Sequence, residues 1–144
     1  MRVYDPSEVL LSVGGADIEG FVPGSFITVT TNTDAFATVV GTRGDVARSR
    51  SQNRTGRITV RLMQTSPSND LLSTIHNLDL NAPNGAGVFQ VAVRDSATGR
   101  ARYGAAAAWI VKAPDANFDA TDTAREWVIE CERLERFDAG VPSL

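Results

Sequence analysis

A chain of 144 residues with 42% apolar content suits one domain built round a single sizeable core, and no extreme of composition points to disorder or fibre. A net charge of −3 argues against general nucleic-acid binding. With one cysteine, Cys131, and one histidine, His76, the chain has no intrachain disulfide, and little from which to build a zinc site or a histidine-activated nucleophile.

Short runs of alternating polarity, separated by turn residues, predict antiparallel β structure. The first run is Val9–Val13. Gly14-Gly15 offers the positive φ of a tight turn into Ile18–Phe21. Phe26–Thr31 is a β-branched strand with Phe26, Thr28 and Thr30 opposing Ile27 and Val29; after the turn at Asn32–Asp34, Phe36–Val40 is the next strand. Residues 41–56 break the pattern, with Val46 and Ala47 their only apolar members, so a projecting hairpin loop is expected at 42–55. Alternation resumes at Gly56–Met63, where Ile58, Val60 and Leu62 face one way and Arg57, Thr59 and Arg61 the other.

A helix follows. Ser66 suits its N-cap, Pro67 its first position and Asp70 the positive end of its dipole, while Leu71, Leu72, Ile75 and Leu78 form one apolar stripe. Asn81-Ala82-Pro83 ends it, and 84–87 is turn material. Val88–Arg94 is a strand and Asp95–Gly99 a hairpin loop. Arg102–Lys112 has four alanines that would suit a helix, but the preceding hairpin, Ile110-Val111 and Pro114 favour a strand. The last strand runs from about Ala124 to Leu134, with Trp127, Ile129 and Cys131 on one face and Glu126, Val128, Glu130 and Glu132 on the other. About eight or nine strands and one helix, with no repeat and no linker, predict a mainly β (α+β) fold. Two packed antiparallel sheets, or a flattened barrel, would be covered at one opening by the helix, all in a single domain spanning 1–144.

No stretch approaches the ~20 apolar residues of a membrane span, and the first thirty residues do not read as a secretion signal, so a soluble protein made in a reducing compartment is expected. His76 lies at the margin of the helix stripe, and Cys131 on the apolar face of its strand reads as a buried, inert thiol. Carboxylates spaced two apart on one strand make an acidic stripe rather than the facing pair of a glycosidase. Trp109 and Trp127 read as core residues, which disfavours an aromatic platform for carbohydrate. No catalytic, cofactor-binding or metal-binding residue emerges, and an enzyme is not expected.

Charge is instead unevenly placed. Residues 43–61 hold six arginines against one acid, a net of +5, whereas residues 115–138 hold eight acids against three arginines, a net of −5. A self-complementary assembly could use that asymmetry, because head-to-tail contact between unlike patches generates rings or filaments.

The strand running into Leu62-Met63-Gln64-Thr65-Ser66-Pro67-Ser68-Asn69-Asp70 and its Leu-rich helix resembles tail tube proteins of contractile-tailed bacteriophages. So do the preceding Arg- and Ser-rich loop, the segment 108–115 and the segment 125–131. The resemblance covers nearly the whole chain. It implies a virion structural protein that forms hexameric rings stacked into a hollow tube. That tube would lie inside a sheath, with baseplate and tail terminator proteins as further partners, no membrane and no cofactor. The tail would be assembled in the cytoplasm of the host bacterium, with DNA only in transit through the bore. By position, Arg43, Arg48, Arg50 and Arg54 would grip the neighbouring ring, and Glu126, Glu130 and Glu132 would supply the acidic partner or the bore surface. The inner tube of a type VI secretion system or another contractile injection device is the nearest alternative. A β-sandwich module for carbohydrate or another ligand is the alternative of a different class.

Overall fold

The computed structural model describes residues 9–24, 26–81, 84, 87–95, 102–118 and 123–137. The expected helix stop at 82–83, the turn residues 85–86 and the hairpin loop 96–99 lie outside these. The described elements are β1 (Val9–Val13), β2 (Ala16–Ile18), β3 (Ile27–Thr31), β4 (Phe36–Val40), β5 (Val46–Arg50) and β6 (Gly56–Met63). They continue with α1 (Ser68–Asn81), β7 (Phe89–Asp95), β8 (Arg102–Lys112), β9 (Ala124–Cys131) and β10 (Glu135–Phe137).

The fold is mainly β, antiparallel throughout, with one helix. Among the described residues, eight strands form one sheet in the order β2-β1-β7-β8-β9-β6-β3, with β10 also on β8, while β4 and β5 pair only with each other. The long β8 joins the two halves. Its first part pairs with β7 and β10, its last with β9, and the register slips beside Phe89 and beside Ile110. Such slips bend a sheet. The inward side chains of both halves, Leu11, Val13, Val91 and Val93 on one side and Ile58, Val60, Leu62, Trp127, Ile129 and Cys131 on the other, therefore meet in a single core.

The alanines of β8 serve that bend. Ala105 and Ala108 are buried, and a Cβ at Gly104 would stand 2.8 Å from the Val91 carbonyl oxygen. Small side chains there let the layers close, which overrides the helical propensity of the run. The Gly14-Gly15 turn takes positive φ at both residues (59° and 88°), joining β1 to β2.

Helix α1 is pinned at its start. Ser66 Oγ accepts from the Ser68 amide (3.3 Å) and donates to the Glu19 carbonyl (2.6 Å), and Ser68 Oγ accepts from the Glu19 amide (3.0 Å). The Trp127 indole N–H donates to Asn69 Oδ1 (2.9 Å), tying helix to sheet. Leu72 is fully buried, and Leu71 and Ile75 pack beside it. The stripe expected from the sequence stops there, because Leu78 is 53% exposed and only the first two turns meet the core.

Candidate assembly site

The candidate site is the hairpin β4–β5 and its foot. Every residue from Thr31 to Arg50 is exposed. The tip is a tight turn in which the Gly44 amide donates to the Gly41 carbonyl (3.0 Å) and the Gly41 amide to the Asp45 carbonyl (2.6 Å), with Gly44 at φ 85°. Only glycine adopts that backbone without strain, and the geometry matches the right-handed twist of a hairpin. Val46–Arg50, read from the sequence as part of an unpatterned loop, is a strand. Phe36–Val40, read as the strand preceding a projection at 42–55, is itself the other half of the projection.

Strand alternation gives the ribbon two unlike faces. Phe36, Thr38, Val40, Val46, Arg48 and Arg50 share one, with Arg48 stacked over the Phe36 ring at 4.5 Å. Ala37, Val39, Ala47 and Ser49 share the other, which is small enough for close packing. Arg43 sits in the tip turn. Val40 and Val46 are 64% and 68% exposed, in a ribbon that touches no core of its own.

The foot is strapped by polar contacts. Asn32 Nδ2 donates to Glu130 Oε1 (2.7 Å) and to Thr55 Oγ1 (2.9 Å), and the Asn32 amide donates to the Thr55 carbonyl (3.1 Å). Asn53 Oδ1 accepts from the Thr55 hydroxyl (2.6 Å) and amide (3.0 Å). Arg57 and Glu130, directly opposed across β6 and β9, form an ion pair at 2.7 Å. The Leu134 amide donates to the Arg54 carbonyl (2.9 Å), and Gly56 has no room for a side chain because a Cβ would stand 2.8 Å from Leu134 Cβ.

Of the sequence-derived site residues, Arg43, Arg48, Arg50 and Arg54 thus lie together along the hairpin and its foot. The three glutamates separate. Glu126 is exposed opposite Arg61, Glu132 is exposed just after β9, and Glu130 is engaged within its own chain. The sequence reading missed Asn32, Asn53 and Thr55. The signal at Asn53 and Thr55 was an Asx-type turn, in which the Thr55 amide donates to Asn53 Oδ1, and composition alone marks it as loop. Trp127 is buried as read from the sequence, but Trp109 lies on the outer face of β8 opposite Glu130, half-buried. Cys131 is buried, and burial, with the Glu130 carboxylate second, pushes its thiol from 9.0 up to about 11.

The overall fold is shared with chains solved in contractile injection systems. A sheath/tube terminator of the extracellular contractile injection system PVC superposes with a TM-score of 0.63 at 12% identity, over 96% of this chain and 99% of that one. The tube-terminating cap of the anti-feeding prophage gives 0.63 at 11% identity, over 96% and 93%. A chain of the PVC sheath-tube complex gives 0.62 at 14% identity, over 94% and 92%. Residues 11–137 match the family described as Bacteriophage PhiTE tail tube protein, and the chain belongs to that family. It is also 32% identical over 132 residues to "Structural protein ORF10" of Pseudomonas phage KPP10, covering 88% of this chain and 76% of that protein.

Proposed function

We propose that this chain is the repeating subunit of a phage tail tube, a structural protein of the virion without catalytic activity. Copies form hexameric rings, the rings stack into a hollow tube, and DNA passes through the bore during ejection. The observation that carries the reading is the hairpin. A two-stranded ribbon alone is marginal in water, yet this one exposes Phe36, Val39, Val40 and Val46 and has no further partner strand among the described residues. Membership of the tail tube family supports a phage tail over a bacterial secretion device.

In this reading the ribbon lies along a subunit of the adjacent ring, with Arg43, Arg48, Arg50 and Arg54 as the basic side of the contact. Glu126 and Glu132 are available as acidic surface for the neighbour or the bore, where like charge keeps the phosphate backbone from sticking. Glu130 acts instead within its own subunit, holding the ribbon's foot. A contractile sheath, a terminator and a baseplate are the other partners, and the similarity to a sheath-tube complex and to tube terminators supports the first two. Assembly takes place in the host cytoplasm, and the protein works in the virion tail, away from any membrane.

Each exposed charge pair is worth only ~0–1 kcal/mol, but repetition round a ring multiplies it. The test is the combined variant Arg48→Glu, Arg50→Glu, Arg54→Glu, which should keep the fold by circular dichroism and fail to form tubes that pellet. Normal tubes from that variant would refute the contact.

A further inference from the structure

At the foot of the hairpin lies an open groove of about 320 Å³, walled by Ala35, Phe36 and Leu134 and edged by Arg50 and Arg54. No described carboxylate lines it, and no described side chain pairs with the guanidinium of Arg50 or Arg54. Arg136 also borders the groove but is engaged, donating to Thr31 Oγ1 (2.9 Å) and stacking on Tyr103. An apolar floor under uncompensated guanidinium groups fits an occupant that is both anionic and apolar.

The same chain carries such a segment at its other end. After β8 the backbone runs through a loop in which Asp115 is exposed and Phe118 is 82% exposed. Residues 115–122 include three acids and no base. Residues 115–118 are tied to Thr123 and Arg125. Arg125 donates to the Asp115 carbonyl (3.1 Å), the Thr123 hydroxyl donates to the Asn117 carbonyl (3.4 Å), and the Arg125 guanidinium lies 5.7 Å from the Phe118 ring centre. Contacts already in place at Asp115, Asn117 and Phe118 reduce the entropy lost on docking.

The two features cannot meet within one molecule. Strand β6 begins at Gly56, against Leu134 at the groove, and ends at Met63, paired with Ala124 beside the loop. The seven steps between its first and last residues separate the two ends by about 23 Å, at ~3.3 Å per residue. A neighbour displaced along the strand direction brings them together, and that contact is head-to-tail and open, so it repeats.

We propose that the acidic loop of one copy seats in the arginine groove of the next. Phe118 packs on Phe36 and Leu134, and Asp115 faces Arg50 and Arg54. The proposal rests on the tube reading above and names the surface by which one subunit receives the next. The ribbon then extends beside the incoming subunit rather than carrying the whole contact.

A cysteine pair tests it. Ala35→Cys and Asn117→Cys flank the two anchors without replacing them, and the native Cys131 is buried and silent. Oxidation of assembled tubes should give a ladder of dimers and higher multimers on a non-reducing gel, only when both cysteines are present. Tubes that assemble but stay monomeric on the gel overturn the groove while leaving the tube reading intact. Dimers from either single-cysteine chain overturn it as well, since a head-to-tail contact brings unlike positions together. A wild-type chain that never forms tubes removes the reading on which the proposal stands. As a second measurement, Phe118→Ser should leave the melting temperature unchanged and raise the concentration needed for pelletable tubes by roughly tenfold, as loss of a central aromatic anchor does. An unchanged threshold overturns the proposal.

Discussion

Replacing Glu130 by alanine tests whether this carboxylate holds the ribbon or serves a neighbour. Its two oxygens accept from Arg57 Nε and Asn32 Nδ2, each at 2.7 Å, and its side chain is 14% exposed against 52% for Arg57. A half-exposed ion pair contributes ~0.2–1 kcal/mol. The Asn32 bond to a charged acceptor would add ~1.5–3 kcal/mol if dry, but Asn32 is exposed and water replaces much of it. Together they give a loss of roughly 1–2 kcal/mol, concentrated at the foot of the ribbon. Glu130→Gln retains the oxygen that accepts from Asn32 and should lose about half as much. Hydrogen exchange read by mass spectrometry on dilute protein is the assay. Amides across residues 31–55 should exchange roughly tenfold faster, since ~1.4 kcal/mol is a factor of ten in local opening, while β1 and β7 stay protected. The effect should not depend on protein concentration. Unchanged exchange in dilute Glu130→Ala, or an effect seen only in assembled tubes, would refute the intrachain role.

Other outcomes follow from the same structure. Leu72→Ala empties the point where α1 meets the core and should cost about 2–5 kcal/mol in urea unfolding. Gly56→Ala drives a Cβ against Leu134 and the Thr30 carbonyl oxygen (3.0 Å), and should destabilise the foot of the ribbon by roughly 1–3 kcal/mol, read by thermal melting. Cys131 titrates at about 11 in the fold against 9.0 when exposed, so its contribution is complete below pH 9 and lost as pH rises towards 11. Unfolding free energy should fall by roughly 2–3 kcal/mol across that window, and Cys131→Ala should flatten this part of the curve.

The strands that build the core were legible because each buries one face. Ile58, Val60 and Leu62 against Arg57, Thr59 and Arg61, or Trp127, Ile129 and Cys131 against Glu126, Val128 and Glu130, report their own burial through period-two alternation. The hairpin was half legible. Phe36–Val40 was read as a strand, but nothing in Phe-Ala-Thr-Val-Val says that its apolar side chains stay exposed, and burial is a property of the partner as much as of the strand. Val46–Arg50 looked like loop because arginine and serine occupy positions that in a buried strand would be apolar. The length of the helix stripe was overread at Leu78, since periodicity cannot tell where the surface beneath a helix ends. The groove at the foot of the ribbon joins three stretches of the chain, 31–36, 50–54 and 134–136, and the β4–β5 pairing together with the register of β3, β6 and β9 brings them together.

Electron microscopy of the purified wild-type chain addresses the claim that copies of this protein complete one another. Hollow tubes of stacked rings, with ribbon density crossing from each ring to the next, are the predicted images. Well-folded single particles at every concentration and salt would contradict it.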